Sequence, residues 1–379
     1  MSDREKIIER LVKNSAEIIT EDEFRQRLAS SDILTHYIGF EISGYVHLGQ
    51  GIMSALVMKD LTDLGVKCTV WLADWHTAIN DKLDGTRETA ARIGKGYFTE
   101  AMRASMLCVG LDPNQVEFRL ATDWYAKDTL YYRDLVVKIS QNVTLGRMKR
   151  SITIMGRKED EKIDLAKLSY PAMQVADIFY QNIDIVHAGM DQRKAHVIMR
   201  DVSDNIQTFF GDKITNKDKP IALHHPLLTG LQKPVTWPVP EGTDQRDAIM
   251  EMKMSKSKPN SAIWVHDSKE EIQHKINKAF CPEKEIKFNP ILNWIGHILF
   301  WDRQKPFCIE RKPEHGGGAE FTSYQELEQA YAAGDIHPMD LKSAAAKELI
   351  QLLKPARDHF AQPDVAAKKS ELDNLLTKS

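Results

Sequence analysis

The pattern of apolar and polar positions predicts a sheet in the first two thirds of the chain and helices in the last third. Short apolar runs at 34–40, 67–73, 184–189 and 221–224 have the length of buried strands, and segments of helical period lie between them. From about residue 266 the pattern predicts helices at 268–280, 290–301, 323–333 and 338–353, with a weaker amphipathic helix at 363–377. Strands that alternate with helices are typical of an α/β fold with a parallel sheet.

This division predicts two domains, 1–265 with the sheet and 266–379 with the helices. A chain of 379 residues is long for a single hydrophobic core. The stretch of about 111–165 interrupts the alternation with a short strand, a turn and further helical segments. We interpret it as an insertion between two halves of the sheet.

The first predicted strand leads into a glycine-containing turn and then a long apolar helix. A strand, a turn and a helix N-terminus together offer backbone N–H groups to a phosphate. His47 stands two residues before Gly49, where its imidazole can donate to a phosphate oxygen. Gly49 has no Cβ, which allows an adenine ring to lie against the main chain. On these residues alone, a helix cap or a core histidine is the alternative interpretation of His47.

The predicted helix at 164–181 carries Tyr170, Gln174 and Asp177 at positions i, i+4 and i+7, which share one helical face. A phenol, an amide and a carboxylate fit a small pocket that offers hydrogen bonds at both ends. A solvent-facing polar stripe is the alternative. His76 and Gln192 follow predicted strands, and open α/β sheets bind ligands at the carboxyl ends of their strands.

Two short basic runs are candidates for binding phosphates. The loop Lys253-Met254-Ser255-Lys256-Ser257 has two ammonium groups that can hold a polyphosphate and two hydroxyls that can bond its oxygens. A solvated surface loop has the same composition. The second run, Arg147–Arg150 followed by Arg157 and Lys158, fits an RNA-backbone patch and an ordinary exposed surface equally well.

Composition and charge exclude several classes of protein. Hydrophobic residues make up 42% of the chain and charged residues 28%, which is ordinary for a globular protein. The net charge of -3 provides no global basic field, so any RNA contact must come from local patches. Four cysteines without a CxxC pair argue for a reducing compartment and against disulfides or structural zinc. No apolar run has membrane-spanning length and residues 1–10 are too charged for a signal peptide, so we expect a cytoplasmic protein.

The motifs, in this order, resemble those of the class I aminoacyl-tRNA synthetases, and within them the tyrosyl-tRNA synthetases of the archaeal and eukaryotic type. Val46-His47-Leu48-Gly49-Gln50 is similar to the first class I signature, and Lys253–Ser257 matches the second letter for letter. The other blocks that resemble the family are Tyr37–Phe40, Leu72–Asp74 with His76, Tyr170–Gln174 with Asp177, Met190–Lys194 and His337–Lys342. The resemblance covers nearly the whole chain. It implies a Rossmann-like (HUP-type) parallel-sheet catalytic domain with a helical insertion, and a mainly α-helical, anticodon-binding C-terminal domain.

The resemblance also implies an activity, tyrosine–tRNA ligation, and a role for each matching residue. The residues implied in binding tyrosine are Tyr37, Gly39, Glu41, His76, Tyr170, Gln174, Asp177 and Gln192. Those implied in binding ATP are His47, Gly49, Gln50, Lys253, Ser255, Lys256 and Ser257, of which His47, Gln50, Lys253 and Lys256 are the implied catalytic residues. Those implied in contacting tRNA(Tyr) are Arg150, Arg193, Lys194, His315, His337 and Asp340.

The resemblance further implies ATP and Mg²⁺ in the reaction, no metal-ligating residue of the protein, and a homodimer formed through the insertion. Val136, Val137 and Ile139 are expected to supply apolar contact there. The chain departs from the family pattern at four positions, Ile42, Gln50, Trp71 and His315.

Three alternatives remain open on the sequence. A tryptophanyl-tRNA synthetase has the same fold and signatures, although Tyr37 and Asp177 argue against it. A small-molecule nucleotidylyltransferase shares the HxG turn but does not need the helical segments after residue 266. A non-catalytic RNA-binding relative would not need to retain His47, Lys253 and Lys256.

Overall fold

A computed structural model describes residues 2–30, 33–157, 161–216, 218–240, 252, 254 and 259–377. Most of the basic loop, namely Lys253, Ser255, Lys256 and Ser257, lies outside the described residues. The main sheet has six strands: β1 (Glu17–Ile19), β2 (Thr35–Phe40), β3 (Lys67–Leu72), β4 (Val116–Leu120), β5 (Ile185–Gly189) and β6 (Ile221–His225). Their order across the sheet is β1-β6-β5-β2-β3-β4, and every pair is parallel except β1 with β6.

The described helices lie on both sides of residue 265, and the predicted division into two domains stays a prediction. The N-terminal part contains α1 (Asp3–Asn14), α2 (Glu21–Ala29), α3 (Ile52–Asp63), α4 (Asp74–Ile79), α5 (Arg87–Ile93), α6 (Thr99–Cys108), α7 (Ala121–Tyr125), α8 (Thr129–Gln141), α9 (Leu145–Ser151), α10 (Leu165–Tyr180) and α11 (Arg193–Phe210). The C-terminal part contains α12 (Lys269–Lys278), α13 (Pro290–Trp294), α14 (Tyr324–Ala333), α15 (Pro338–Leu352), α16 (Lys354–Phe360) and α17 (Pro363–Leu376), with a two-stranded hairpin of β7 (Phe307–Ile309) and β8 (Ala319–Phe321).

The order of the strands creates a crevice beside β2. From β2 the chain moves to β3 and β4 on one side and then returns to β5 and β6 on the other side. Such a reversal of strand order opens a ligand-binding crevice outside the carboxyl ends of the strands. Because side chains alternate along a strand, Ile38 of β2 packs into the core under α3 and α6, while Tyr37 faces the opposite core with α8 and α10.

The helical insertion begins later than predicted. β4 lies inside the predicted stretch of 111–165, yet it pairs in parallel with β3 and forms an edge of the main sheet. Only its first and last residues, Val116 and Leu120, are buried, so its apolar pattern was too weak to reveal it as a strand of this sheet. The inserted helices are α7, α8 and α9.

The outward-facing residues of α8 also differ from the expectation. Ile139 is fully buried, so it cannot contact a second molecule, and Val136 is only partly exposed. Val137 is 50% exposed, and Leu130, near the start of α8, is 64% exposed. The helical period places Leu130 and Val137 on the same outer face, seven residues apart.

The C-terminal helices begin with side chains that cap them. Ser268 and Ser323 accept the N–H of Glu271 and Glu326 respectively, and each glutamate bonds back to the N-cap residue, which fixes the starts of α12 and α14. The predicted weak tail helix, α17, is packed rather than marginal, because Leu372 on its inner side is fully buried. None of the described helices is long and apolar enough to cross a membrane.

Candidate active site

A pocket of about 260 Å³ opens at the carboxyl ends of β2, β5 and β6, beside α10. All eight residues predicted to bind the amino acid line it, together with three of those predicted to bind the nucleotide: Tyr37, Gly39, Glu41, His76, Tyr170, Gln174, Asp177, Gln192, His47, Gly49 and Gln50. The structure therefore brings together residues that are up to 155 positions apart, from Tyr37 to Gln192.

Tyr37 and Gly39 form one wall of the pocket. Residues i and i+2 of a strand lie on the same face, and the ring of Tyr37 extends along β2 over Gly39. A Cβ atom at residue 39 would lie 2.3 Å from Oη of Tyr37 and 2.9 Å from its Cζ. Glycine at this position is therefore what allows the Tyr37 ring to lie along the strand.

Asp177 lies fully buried at the closed end of the pocket, where three donors bond it. Oδ1 accepts from Oη of Tyr125 (2.6 Å) and of Tyr132 (3.0 Å), and Oδ2 accepts from Nε1 of Trp71 (3.0 Å). A carboxylate has about four acceptor positions. One position, on Oδ2, has no donor among the described residues.

Burial governs the protonation of this end of the pocket. It raises the pKa of Asp177 to about 8, although the hydrogen bonds from Tyr125, Tyr132 and Trp71 oppose the shift. Burial also lowers the pKa of His76 to about 4, so the imidazole is neutral at physiological pH. Nδ1 of His76 lies 3.9 Å from Oδ2 of Asp177, and neither ring nitrogen has a hydrogen-bond partner among the described residues.

A second polar group lies toward the middle of the pocket. Nε2 of Gln174 donates to Oε1 of Gln192 (3.3 Å), and Nε2 of Gln192 donates to the carbonyl of Ile154 (2.9 Å). Oε1 of Gln174 is buried and has no hydrogen-bond partner among the described residues. Oη of Tyr170 donates to Oε1 of Glu41 (2.8 Å). The carbonyl, carboxylate and hydroxyl oxygens gathered here suit a cationic group such as an ammonium.

The turn with His47 forms the opposite end of the pocket. The backbone N–H of Gln50 points at Nδ1 of His47 (3.3 Å), so Nδ1 is the acceptor and the ring proton lies on Nε2. A Cβ atom at Gly49 would lie 3.2 Å from the His47 ring and 3.6 Å from Cε of Met254. Met254 belongs to the basic loop, so the side chain of this one loop residue lies close to Gly49.

The chain after the basic loop fastens this turn to the rest of the structure. The N–H of Leu48 donates to the carbonyl of Ile263 (3.1 Å), and the N–H of Val265 donates to the carbonyl of Val46 (3.0 Å). His47 and Trp264 are paired in an antiparallel bridge between these segments. The segment of 263–265, which follows the basic loop in the sequence, therefore lies directly beside the turn that carries His47.

The residues predicted to contact tRNA fall into two groups outside the pocket. Nζ of Lys194 donates to the carbonyl of Arg150 (2.8 Å), so these two residues are in contact, while Arg193, next to Lys194 in α11, is paired with Glu17 of β1 (2.7 Å). His337 and Asp340 lie at the start of α15, where Nδ1 of His337 accepts the N–H of Met339 (3.2 Å). His315 ends a short 3₁₀ turn in the same C-terminal part.

Sequence reasoning missed the groups that hold the predicted residues in place. Tyr125 and Tyr132 bond Asp177, and Asn80 donates from Nδ2 to the same Glu41 oxygen that Tyr170 bonds (2.8 Å). Trp71 was noted only as a departure from the family pattern. The cluster of aromatic residues at 124–132 was the available signal, but it does not show which carboxylate the hydroxyls meet.

Comparisons with known proteins agree with this geometry. A family model described as tRNA synthetases class I (W and Y) matches residues 30–354. The chain is 50% identical over 348 residues to a tyrosine–tRNA ligase of Thermococcus kodakarensis, which is 92% of each protein. It is 48% identical over 350 residues to a tyrosine–tRNA ligase of Pyrococcus furiosus, covering 92% of this chain and 93% of the relative.

Solved structures show the same architecture. A crystal structure of tyrosyl-tRNA synthetase complexed with L-tyrosine, from Pyrococcus horikoshii, has a TM-score of 0.91 at 44% identity and covers 100% of both chains. A tryptophanyl-tRNA synthetase from Aeropyrum pernix has a TM-score of 0.63 at 20% identity, covering 94% of this chain and 84% of the other, which shows a shared fold alone. With its pocket lined by the expected residues and a family model that spans most of its length, the chain belongs to the class I tRNA synthetases of the W and Y family.

Proposed function

We propose that this enzyme is a tyrosine–tRNA ligase, which activates tyrosine with ATP and transfers it to the 3′-terminal ribose of tRNA(Tyr). The observation that carries the proposal is Asp177, a buried carboxylate at the closed end of the pocket with one acceptor position unused by the described residues. A phenol hydroxyl is the amino-acid side-chain group that fits an aromatic-walled pocket and donates one hydrogen bond at its tip. The names of the relatives agree with this assignment.

In this proposal the tyrosine ring lies between Tyr37 and the aromatic residues around Asp177. The phenolic hydroxyl of the substrate donates to Oδ2 of Asp177. The hydroxyl of Tyr37 donates to the same phenolic oxygen. The α-ammonium meets Oε1 of Gln174, which has no hydrogen-bond partner among the described residues, and is bonded by Tyr170 and Gln192. Gly39, Glu41 and His76 complete the walls.

ATP then occupies the end of the pocket at His47, Gly49 and Gln50. The tyrosine carboxylate attacks the α-phosphorus in line, forming tyrosyl-adenylate and releasing pyrophosphate. His47 donates its Nε2–H to a phosphate oxygen, and Lys253 and Lys256 neutralise charge on the leaving group, with Ser255 and Ser257 as further donors. No protein nucleophile is needed, because positioning and electrostatic stabilisation supply the catalysis.

Mg²⁺ is assigned to the ATP phosphates in this proposal. Magnesium at nucleotide sites is bound chiefly by substrate phosphates, waters and one or two carboxylates. In this proposal the ion neutralises charge on the phosphates as pyrophosphate leaves.

The tRNA contacts in the proposal follow the two basic and polar groups outside the pocket. Arg150, Arg193 and Lys194 contact the acceptor stem beside the pocket. His315, His337 and Asp340 contact the anticodon, which assigns anticodon binding to the segment of 266–379, and catalysis to 1–265. Because charged tRNA is consumed by translation, we place the enzyme in the cytoplasm.

A homodimer completes the proposal, with the outer face of α8 as the contact. Leu130 and Val137 are exposed apolar residues on this face. Large exposed apolar side chains on one face mark interaction surfaces. We expect Val137→Glu to convert a dimer into a monomer in light-scattering measurements, and a wild-type monomer would refute this contact.

The test of the activity is amino-acid-dependent pyrophosphate exchange with tyrosine, phenylalanine and tryptophan. The assay is run above pH 8, where Asp177 becomes ionised. A hydrogen bond to a charged partner contributes about 1.5–3 kcal/mol, so Asp177→Ala should lose roughly 10- to 150-fold in kcat/KM for tyrosine there. Phenylalanine has no hydroxyl to lose, so its kcat/KM should not fall, and discrimination between the two should largely disappear.

Tyr125→Phe is the matched control, because it removes a donor to Asp177 but keeps the carboxylate. We expect this variant to retain the preference for tyrosine, and its melting temperature calibrates the structural effect of a lost bond. An unchanged preference in Asp177→Ala would refute the assignment of the pocket. Exchange that depends on tryptophan but not tyrosine would replace the proposed substrate.

A further inference from the structure

A chain of three buried histidines crosses the sheet and ends in the pocket. His36 of β2, His187 of β5 and His225 of β6 lie on adjacent strands. Nε2 of His36 is 3.1 Å from Nδ1 of His187, and Nε2 of His187 is 2.7 Å from Nδ1 of His225. All three rings are buried, and His225 lines the pocket. Neither the predicted site nor the proposed reaction uses them.

Burial keeps the three histidines neutral, and in a row of neutral imidazoles the N–H groups must all point in one direction. Burial lowers the pKa of His36 to about 3 and of His225 to about 4, and lowers that of His187 well below its usual value. A neutral imidazole has one N–H and one acceptor nitrogen. The two ring-to-ring hydrogen bonds can therefore form together only if all three N–H groups point the same way along the chain.

His36, the histidine farthest from the pocket, decides in which direction the N–H groups point. Nδ1 of His36 is buried and has no hydrogen-bond partner among the described residues. If the protons pointed away from the pocket, this atom would carry a buried N–H without an acceptor, which proteins rarely tolerate. The protons therefore point toward the pocket, and His225 carries its N–H on Nε2.

The surroundings of His225 define what this N–H can bind. Gly189, Asp191, Leu227 and His225 all line the pocket. A Cβ atom at Gly189 would lie 3.4 Å from Nε2 of His225 and 2.9 Å from Oδ1 of Asp191, so the imidazole nitrogen and the carboxylate lie close together beside Gly189. The Asp191 carboxylate repels phosphates. A sugar hydroxyl in the pocket beside Gly189 suits both groups, because it can accept from an imidazole N–H and donate to a carboxylate.

We propose that His225 donates its Nε2–H to a ribose hydroxyl of ATP beside Gly189, and that His187 is a positioning residue that holds His225 in this tautomer. The inference rests on the proposed function, which supplies ATP as the substrate. It adds a contact that recognises the sugar, and the buried His187 in the sheet controls this contact by fixing the tautomer of His225.

The first test pairs a variant with substrate analogues. His225→Phe keeps a ring of similar size and removes the donor, and a neutral hydrogen bond contributes about 0.5–1.5 kcal/mol, so KM for ATP should rise roughly 3- to 10-fold while KM for tyrosine stays the same. With the deoxy analogue of ATP that lacks the contacted hydroxyl, 2′-deoxy or 3′-deoxy, wild type and variant should have equal KM. His225→Gln, which restores an N–H donor, should recover part of the loss. An unchanged KM for ATP, or the same loss with ATP and both analogues, would overturn the proposal.

The second test interrupts the row of histidines at His187, which does not contact the substrate. His187→Phe should raise KM for ATP as His225→Phe does and leave KM for tyrosine unchanged. His196→Phe is the matched control, because His196 is equally buried and pairs with His224 (3.0 Å) outside the pocket lining. Equal effects of the two variants on KM for ATP would show a merely structural role for His187.

The tautomer itself is measurable in the wild-type protein, which keeps the inference testable if a variant does not fold. Nitrogen-15 spectra of histidine-labelled protein should show the proton of His225 on Nε2, and a proton on Nδ1 would overturn the inference. Calorimetric titration with ATP alone separates the two proposals. Weaker ATP binding by His225→Phe without any tyrosine-dependent exchange in wild type would sink the proposed function and leave this inference standing.

Discussion

Gly39 allows a sharp test of how the pocket is built. In Gly39→Ala the new Cβ would lie 2.3 Å from Oη and 2.9 Å from Cζ of Tyr37. Carbon atoms in contact are about 3.5–4.0 Å apart, so the Tyr37 hydroxyl must move by roughly 1 Å or more. Tyr37 is buried beside Trp71, with ring centroids 6.3 Å apart, so the shift also disturbs its neighbours.

Overpacking of this kind costs about 1–3 kcal/mol. Because the displaced hydroxyl belongs to the proposed tyrosine subsite, we expect kcat/KM for tyrosine to fall roughly 5- to 150-fold in pyrophosphate exchange. KM for ATP should change less than about twofold, since the clash lies at the opposite end of the pocket from His47.

A double-mutant cycle with Tyr37→Ala isolates the clash. Tyr37→Ala removes the atoms that the new Cβ meets, so adding Gly39→Ala to it should cost less than about 0.5 kcal/mol. If Gly39→Ala costs the same in both backgrounds, the glycine is required for a reason other than the Tyr37 ring, and the reasoning fails.

Three further predictions concern Gly49 beside His47, the buried carboxyl group of Asp177, and the hydrogen bond of Tyr45. Gly49→Ala places a Cβ 3.2 Å from the His47 ring, so KM for ATP should rise roughly 5- to 30-fold with KM for tyrosine unchanged; a change in the tyrosine value alone would contradict the assignment. The pKa of Asp177 is raised to about 8 in the folded protein, so its contribution to stability is complete below about pH 4 and is lost as the pH rises through 8. In urea unfolding, wild type should therefore lose stability relative to Asp177→Asn by up to about 1.4 kcal/mol per pH unit between about pH 5 and 8, and parallel curves would contradict this. Tyr45, two residues before His47, donates to Asp373 of α17 (2.5 Å), so Tyr45→Phe should lower the unfolding free energy by about 1.5–3 kcal/mol, and an unchanged midpoint of unfolding would show that this bond contributes nothing.

The elements of the fold were readable from local pattern. The strands at 34–40, 67–73, 184–189 and 221–224 and most helices after residue 266 are present close to their predicted limits. The helix predicted at 290–301 is α-helical only to Trp294 and continues as a π-helical turn, Ile295–Leu299. Helices α5 and α6 are joined by a π-helical turn, Gly94–Phe98, which the apolar period does not reveal. Strand β4 was assigned to the insertion, because only its two end residues are buried and its neighbour β3 lies far back along the chain.

Part of the candidate site likewise follows from local pattern, and part depends on the fold. The face of α10 with Tyr170, Gln174 and Asp177 follows from helical spacing, which is local. The resemblance to a known family added residues on other elements, such as Tyr37, and the fold brings them into one pocket. Their roles in binding tyrosine, ATP and tRNA remain predictions.

The amino-acid sequence by itself determined the strands, the helices, the turn at His47 and the polar face of α10, because each depends on side chains within a few residues of one another. Only the tertiary structure decided which donors meet Asp177 and which histidines connect to His225. Trp71 and Tyr125 come from separate elements that the strand order brings to one carboxylate. The histidine chain depends on β2, β5 and β6 being neighbours, and no local pattern encodes which strands lie side by side.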